Sequence, residues 1–150
     1  MRVLLQRVSE AQVAIEGIPP RRIGEGLLLF LGIEGEDEES DVEWLAGKVL
    51  RLRIFSDEEG KMNRSVTEIG GDILLISQFT LHASTKKGNR PSFVQAARPD
   101  VAIPRYEAFG KALEEGLGRP ISRGEFGAEM KVSLINDGPV TIWIDSRNRE

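Results

Sequence analysis

Ser77, Gln78 and Thr80 follow directly on the aliphatic run Ile73-Leu74-Leu75-Ile76, and the one imidazole of the chain, His82, comes two residues later. Polar side chains at the end of a buried strand are held still by the scaffold behind them, as a catalytic or binding group must be. On a regular strand the two-residue period puts Gln78 and Thr80 on one face and Ser77 and Phe79 on the other. The same period sets Thr80 beside His82, so a hydroxyl nucleophile with an imidazole base is one chemistry the stretch allows. The plainer alternative is that Ser77 and Thr80 end the strand by bonding the backbone, with His82 an ordinary surface residue. Lys86, Lys87 and Arg90 around Gly88 make a compact cationic loop immediately afterwards, either a solvated loop or a contact for phosphate groups. No G-x-S-x-G elbow or Gly-rich phosphate loop occurs. With no cysteine and a single histidine there is no cysteine or multi-histidine metal site, and neither a metal nor another cofactor is expected.

The scaffold for these groups reads as follows. Ile73 to Thr80, bounded upstream by Gly70-Gly71-Asp72, is a buried strand. Before it, Val3 to Val8 and Ala11 to Ile15 read as two short strands joined by Ser9-Glu10, and Gly17 to Pro20 is turn chemistry. Leu27 to Ile33 is a continuous apolar strand covered on both faces. After the acidic loop Glu34 to Asp41, Ser40 and Glu43 have the spacing of a capping box. Val42, Leu45, Ala46, Val49 and Leu50 then give a helical core stripe. Arg53 to Ser56 should re-enter the sheet, and Asp57 to Lys61 reads as a hairpin loop with Gly60 at positive φ. Pro104 fits the first turn of a second helix with the stripe Tyr106, Phe109, Leu113 and Leu117, stopped by Gly118 and Pro120. Met130 to Asn136 and Val140 to Asp145 read as strands joined by an Asn136-Asp137-Gly138-Pro139 turn, ahead of a frayed tail from Ser146 to Glu150. The sum is an α+β chain, a single compact domain over 1–150, with a barrel-like, mostly antiparallel sheet and two main helices.

Composition narrows the classes further. With 40% hydrophobic and 29% charged residues in 150, the chain has the make-up of a soluble globular protein with a real core. A net charge of −4 argues against coating nucleic acid without specificity, though it leaves room for the local basic loop. The longest apolar run, Leu27 to Leu31, is far too short to span a membrane, and the charged start of the chain lacks a signal-peptide core. A reducing, cytoplasmic location is expected. Residue by residue, the reading ends at an α+β domain with a polar strand end, a basic loop beside it and a Gly-Pro turn, and names no reaction.

Longer motifs carry a resemblance. Ser77-Gln78-Phe79-Thr80, together with Asn136-Asp137-Gly138-Pro139-Val140-Thr141, resembles the two signature motifs of the D-aminoacyl-tRNA deacylases, the D-tyrosyl-tRNA deacylase family of bacterial and eukaryotic type. Gln6-Arg7-Val8, Arg53-Ile54-Phe55-Ser56-Asp57, Gly60-Lys61-Met62-Asn63, Arg90-Pro91-Ser92-Phe93 and Phe126-Gly127-Ala128 with Met130 are similar to that family too, in the same order. The resemblance implies a cofactor-free hydrolase that cleaves the ester between a D-amino acid, or glycine, and the terminal ribose of tRNA, a quality-control step in translation. It also implies the family's fold, a homodimer with the active site at the interface, and the aminoacylated 3′ end of tRNA as partner. Carried over by match, Ser77, Gln78, Phe79 and Thr80 form the catalytic stretch. Gly138-Pro139, with a cis peptide, is the chirality filter that reaches into the partner subunit's pocket. Arg7 braces that turn, Asn136 belongs to its motif, and Phe126 and Met130 line the pocket. Lys86, Lys87 and Arg90 are then the tRNA contacts. Thr80 matches a residue once favoured as nucleophile. The second reading has the ribose 2′-hydroxyl assist a water while backbone donors near Phe79 and Thr80 hold the oxyanion, and the lack of acid–base side chains favours it. His82 falls at a variable position of the family. Two alternatives differ in class: a non-catalytic RNA-binding barrel, against which the single Tyr and two Trp count, and a Thr80/His82 small-ester hydrolase.

Overall fold

One strand organises the sheet. In the computed structural model, which describes residues 1–149, β1 runs unbroken over Arg2–Ile15. The expected break at Ser9-Glu10 is absent because β8 (Lys131–Asp145) pairs antiparallel along the whole of one edge of β1. The other edge is divided: β3 (Gly26–Gly32) lies beside Arg2 to Val8, and β2 (Ile18–Ile23) beside Ala11 to Ile15. Ser9-Glu10 sits at the changeover, where the register with β8 also shifts. Pro19 and Pro20, expected in a turn, lie in β2, whose ladder is made to β1 alone; a proline is tolerated on such an edge strand.

Beyond β3 the sheet continues in parallel with β6 (Asp72–Ser77) and β7 (Ser122–Arg123). Parallel neighbours need long crossovers, and the helices α1 (Glu39–Arg51) and α2 (Pro99–Leu117) lie in them. The result is a barrel-like mixed sheet, antiparallel around β1, with two helices. β4 (Phe55–Ser56) and β5 (Met62–Arg64) do not re-enter it as expected. They pair only with each other, in a hairpin whose loop is closed by Asp57 and by Gly60 at φ 78°. The tail is not frayed over its described part: Ser146 is buried and Arg147 pairs with Glu36 at 2.9 Å, while Glu150 lies outside the described residues.

The two-residue period of the strands sorts the core into two clusters. Val3 and Leu5 of β1, Leu27, Leu29 and Leu31 of β3, and Ile73 and Leu75 of β6 face the helices, where the α1 stripe Val42, Leu45, Ala46, Val49 and Leu50 meets them with Phe109 and Leu113 of α2. Leu28, Leu74 and Ile76 face the opposite way, into the curl of the sheet, with Val8, Val13 and Ile23. β3 from Leu27 to Leu31 and β6 from Ile73 to Ile76 are therefore apolar at every position, because each is roofed on both sides. The start of α1 is two places earlier than the Ser40/Glu43 spacing suggests: Glu38 is the cap, and its N–H donates to Asp41 Oδ2 at 2.9 Å. In α2 it is Pro99, not Pro104, that occupies the first turn, so the helix is five residues longer at that end than Pro104 alone implies. Gly118 closes it at φ 71°. No described helix is long and apolar enough to cross a membrane.

Candidate functional site

β6 delivers the polar stretch to a pocket. The strand ends at Ser77, sooner than expected, and the chain turns through Gln78 into a single 3₁₀ turn over Phe79–His82. The alternation of faces therefore stops at Ser77. Gln78 and Thr80 still meet, because the turn folds Thr80 back and Gln78 Nε2 donates to Thr80 Oγ1. Arg2 pins the turn from β1 by donating to the Leu81 carbonyl at 3.1 Å, and is itself held by Asp145 at 2.8 Å. Burial acts to raise the Asp145 carboxyl, but the Arg2 guanidinium and the N–H groups of Arg147 and Asn148 hold it below the usual carboxylate range. The first bond of the turn runs from Leu81 N–H to the Gln78 carbonyl. The N–H groups of Phe79 and Thr80 precede it and have no acceptor within the turn.

The pocket has a volume of about 280 Å³. Ser77, Gln78 and Phe79 contribute to its wall, as do Phe126 and Met130, together with Phe30 and Ile76. Five of the candidate site residues are thus brought together from stretches far apart in sequence. Phe126 is held edge-on to Tyr106, ring centroids 5.9 Å apart, and Tyr106 donates its hydroxyl to the Leu75 carbonyl at 3.0 Å. Burial pushes the phenol up to about 12, so it stays a neutral donor. Such a bond inside a protein is worth about 1 kcal/mol net and more when its loss strands the partner.

His82 is not part of this wall. It is buried, and it packs on Gly32 of β3. Neither ring nitrogen makes a full hydrogen bond, and none is made to Thr80. Burial pushes the imidazole below its ordinary value, with Arg2 adding to the shift and the backbone of Gly32 opposing it. The Thr80–His82 pairing considered from the sequence is not formed, because the 3₁₀ turn replaces the strand that would have aligned the two.

The Gly-Pro motif stands on the other side of the sheet's organising strand. No hairpin forms at Asn136 to Pro139, since the residues on both sides of it pair with β1. Instead β8 bulges: from Thr141, opposite Gln6, to Asn136, opposite Val8, it takes five steps while β1 takes two. The Gly138-Pro139 peptide in this bulge is cis, and Gly138 has φ 122°, a conformation that L side chains rarely adopt. Arg7 fills the space a Cβ on Gly138 would need. Its Nε donates to the Asp137 carbonyl at 3.1 Å and its Nη1 to the Ile54 carbonyl at 2.6 Å. Asn136 closes the bulge from within, accepting from Val140 N–H at 3.2 Å and donating to Thr141 Oγ1 at 2.9 Å. Arg7, Asn136, Gly138 and Pro139 do not line the pocket of their own chain.

The basic loop is joined to the site. Ser84 and Ser92 bond each other's backbones at 2.8 and 2.9 Å, closing a narrow loop with exposed Lys86, Lys87 and Arg90 at its tip. Among the described residues none of these three is in an ion pair. At the base, Phe93 meets Phe79 edge-on at 5.0 Å.

Comparison with known proteins follows the same residues. A profile described as D-Tyr-tRNA(Tyr) deacylase matches residues 4–145. The chain belongs to that family. Full-length relatives called D-aminoacyl-tRNA deacylase include those of Akkermansia muciniphila, 60% identical, and Flavobacterium johnsoniae, 58% identical, each over 100% of both chains. Among solved structures, a "c-Myc DNA Unwinding Element Binding Protein" superposes with a TM-score of 0.91 at 40% identity, over 97% of this chain and 98% of that one. A probable eukaryotic D-amino acid tRNA deacylase superposes at 0.82 over 95% of this chain and 97% of that one, and at 20% identity that likeness bears on the fold alone.

Sequence reasoning missed Tyr106, seen only as a core stripe residue, and Arg2 and Arg21, whose partners lie far along the chain. Arg21 carried no signal, since Pro19-Pro20 before it reads as a turn.

Proposed function

We propose that this protein hydrolyses the ester of D-aminoacyl-tRNA, and of glycine mischarged on tRNA, as a cytoplasmic step of translation quality control. The observation that carries this reading is the pocket lined jointly by the family's motif residues Ser77 to Phe79 and by Phe126 and Met130. The acyl end lies there with its carbonyl at the 3₁₀ turn. A water attacks the carbonyl carbon, helped by the ribose 2′-hydroxyl, and the N–H groups of Phe79 and Thr80 receive the developing oxyanion. Collapse of the tetrahedral intermediate breaks the bond to the ribose oxygen, which takes a proton. Ser77, Gln78 and Thr80 position rather than attack, because no base is bonded to any of them. Lys86, Lys87 and Arg90 meet phosphates of the tRNA end.

The working form is a homodimer with the active site at its interface. The Gly138-Pro139 bulge does not reach its own pocket, so it serves the partner's, where a rigid backbone wall leaves no room for an L side chain. The free edge of β8 and exposed Ile135 and Trp143 on its outer face supply the contact.

The deciding experiment compares one tRNA charged with D-tyrosine and with L-tyrosine. Rapid loss of the D ester alone is expected. Equal loss of both esters would remove the Gly138-Pro139 filter, and loss of neither, with tRNA still bound, would leave an RNA-binding barrel.

A further inference from the structure

We infer that Arg21 is a positioning residue for the active-site pocket: it clamps the chain segment that carries Phe126 and Met130. The inference rests on the hydrolytic reading above only for what the pocket holds.

That segment, residues 124–130, links β7 to β8 and pairs with no strand. It supplies Phe126, Gly127, Ala128 and Met130 to one wall of the pocket. A wall without a ladder takes its place from its anchors. One is Gly124 N–H, which donates to the Leu75 carbonyl at 2.9 Å. A second is Arg123, which binds the α2 carboxylates of Glu107 at 2.8 Å and Glu114 at 2.9 Å. Met130 folds back over Gly124 into the space a Cβ there would take.

Arg21 supplies the remaining anchor, from the opposite side. β2 and β7 touch, but no backbone ladder joins them. The Arg21 guanidinium reaches across from β2 and donates to the carbonyls of Arg123 and Gly124, while its second terminal nitrogen meets the Glu125 carboxylate. Three successive residues are thereby fixed by one planar, multi-pronged group, which an ammonium cannot imitate. Phe126 is the next residue. Its ring stands against Tyr106, so the same clamp sets the angle at which Phe126 meets the pocket. The wall contacts the acyl end in the ground state and the transition state alike, so loosening it acts on KM rather than kcat.

Tyr106 is the only tyrosine of the chain and its ring borders Phe126, which gives a reporter independent of turnover. The test incorporates 3-fluorotyrosine and compares full-length wild type, Arg21→Gln and Arg21→Lys with Arg119→Gln. Arg119 forms a clamp of similar size at the opposite end of β6, to Asp72 and the carbonyls of Gly70 and Gly71, and serves as the purely structural control. For Arg21→Gln the fluorine resonance is expected to move and broaden, and KM for D-tyrosyl-tRNA to rise about three- to tenfold with kcat held within about twofold. Arg21→Lys should fall between it and the wild type. Arg119→Gln should lower Tm and change neither the resonance nor KM. An unchanged resonance and KM in folded Arg21→Gln overturns the inference, as does an equal change in Arg119→Gln. If Arg21→Gln does not fold, an unchanged resonance in Arg21→Lys overturns it. A wild type inert on the D ester would sink the hydrolytic reading, and the fluorine comparison would still decide the clamp.

Discussion

Thr80 follows the pocket residues Ser77 to Phe79 without lining the pocket itself, and it lacks everything a nucleophile needs around it. Its oxygen accepts from Gln78, the nearest imidazole in sequence is buried on Gly32, and no hydrogen bond joins the two. A threonine hydroxyl with no base is almost wholly protonated at neutral pH. Thr80→Ala should therefore keep kcat within about tenfold of wild type, because the backbone N–H proposed to receive the oxyanion survives the change. Single-turnover hydrolysis of a D-tyrosyl ester measures this. A fall of about a thousandfold or more would restore Thr80 as the attacking group. Arg7 shows the reverse case, a side chain with no chemistry of its own whose guanidinium holds the Gly138-Pro139 bulge on one side and the Ile54 carbonyl on the other.

Among the elements, the loop closed by Ser84 and Ser92 is the one proposed to let an acidic protein hold RNA. Among the described residues its three cations are in no ion pair, while the acidic stretch Glu34 to Asp41 is engaged elsewhere, with Arg105 and Arg147. Phosphate contacts release counterions, so their loss weakens binding and flattens its salt dependence. Lys86→Glu with Lys87→Glu should raise KM about tenfold, leave kcat within about twofold, and reduce the dependence of KM on salt. An unchanged KM would take this loop out of the tRNA path. The elements also divide by how legible they were in the sequence. The α1 stripe, the apolar β3 and β6, the Gly118 stop and the hairpin at Gly60 all follow from periodicity and turn chemistry. What escaped were features set by partners distant along the chain: β1 reads as two strands because only β8 makes it one, and β4 reads as a sheet strand although its sole partner is β5. Ser77 and Gln78 were marked by their own polarity and Phe79 by the family resemblance alone, but nothing local to Arg21 or Tyr106 announces a clamp or a brace.

At the scale of the molecule, the proposed dimer accounts for two features of the single chain. Its outer β8 face leaves Ile135 54% and Trp143 47% exposed, and the Gly138-Pro139 bulge lies away from its own pocket. Placing a charge at Ile135 puts it into the proposed contact, where an unpaired buried charge costs several kcal/mol. Ile135→Lys is expected to sediment as a monomer and to lose D-tyrosyl-tRNA hydrolysis in step. A variant that stays dimeric would move the interface off this face, and an active, D-selective monomer would end the cross-subunit filter.

The pairing of β1 with β8 also governs when the molecule becomes itself during synthesis. Residues 2–15 leave the ribosome more than a hundred residues before the strand that covers their open edge, residues 131–145. Contacts so far apart along the chain are costly to close and come late. Until then β3 and β6 can gather the helices over one core, but β1 offers its edge to any passing strand. The bulge and its Arg7 brace belong to that late zippering, so the proposed filter can take shape only once β8 has been made.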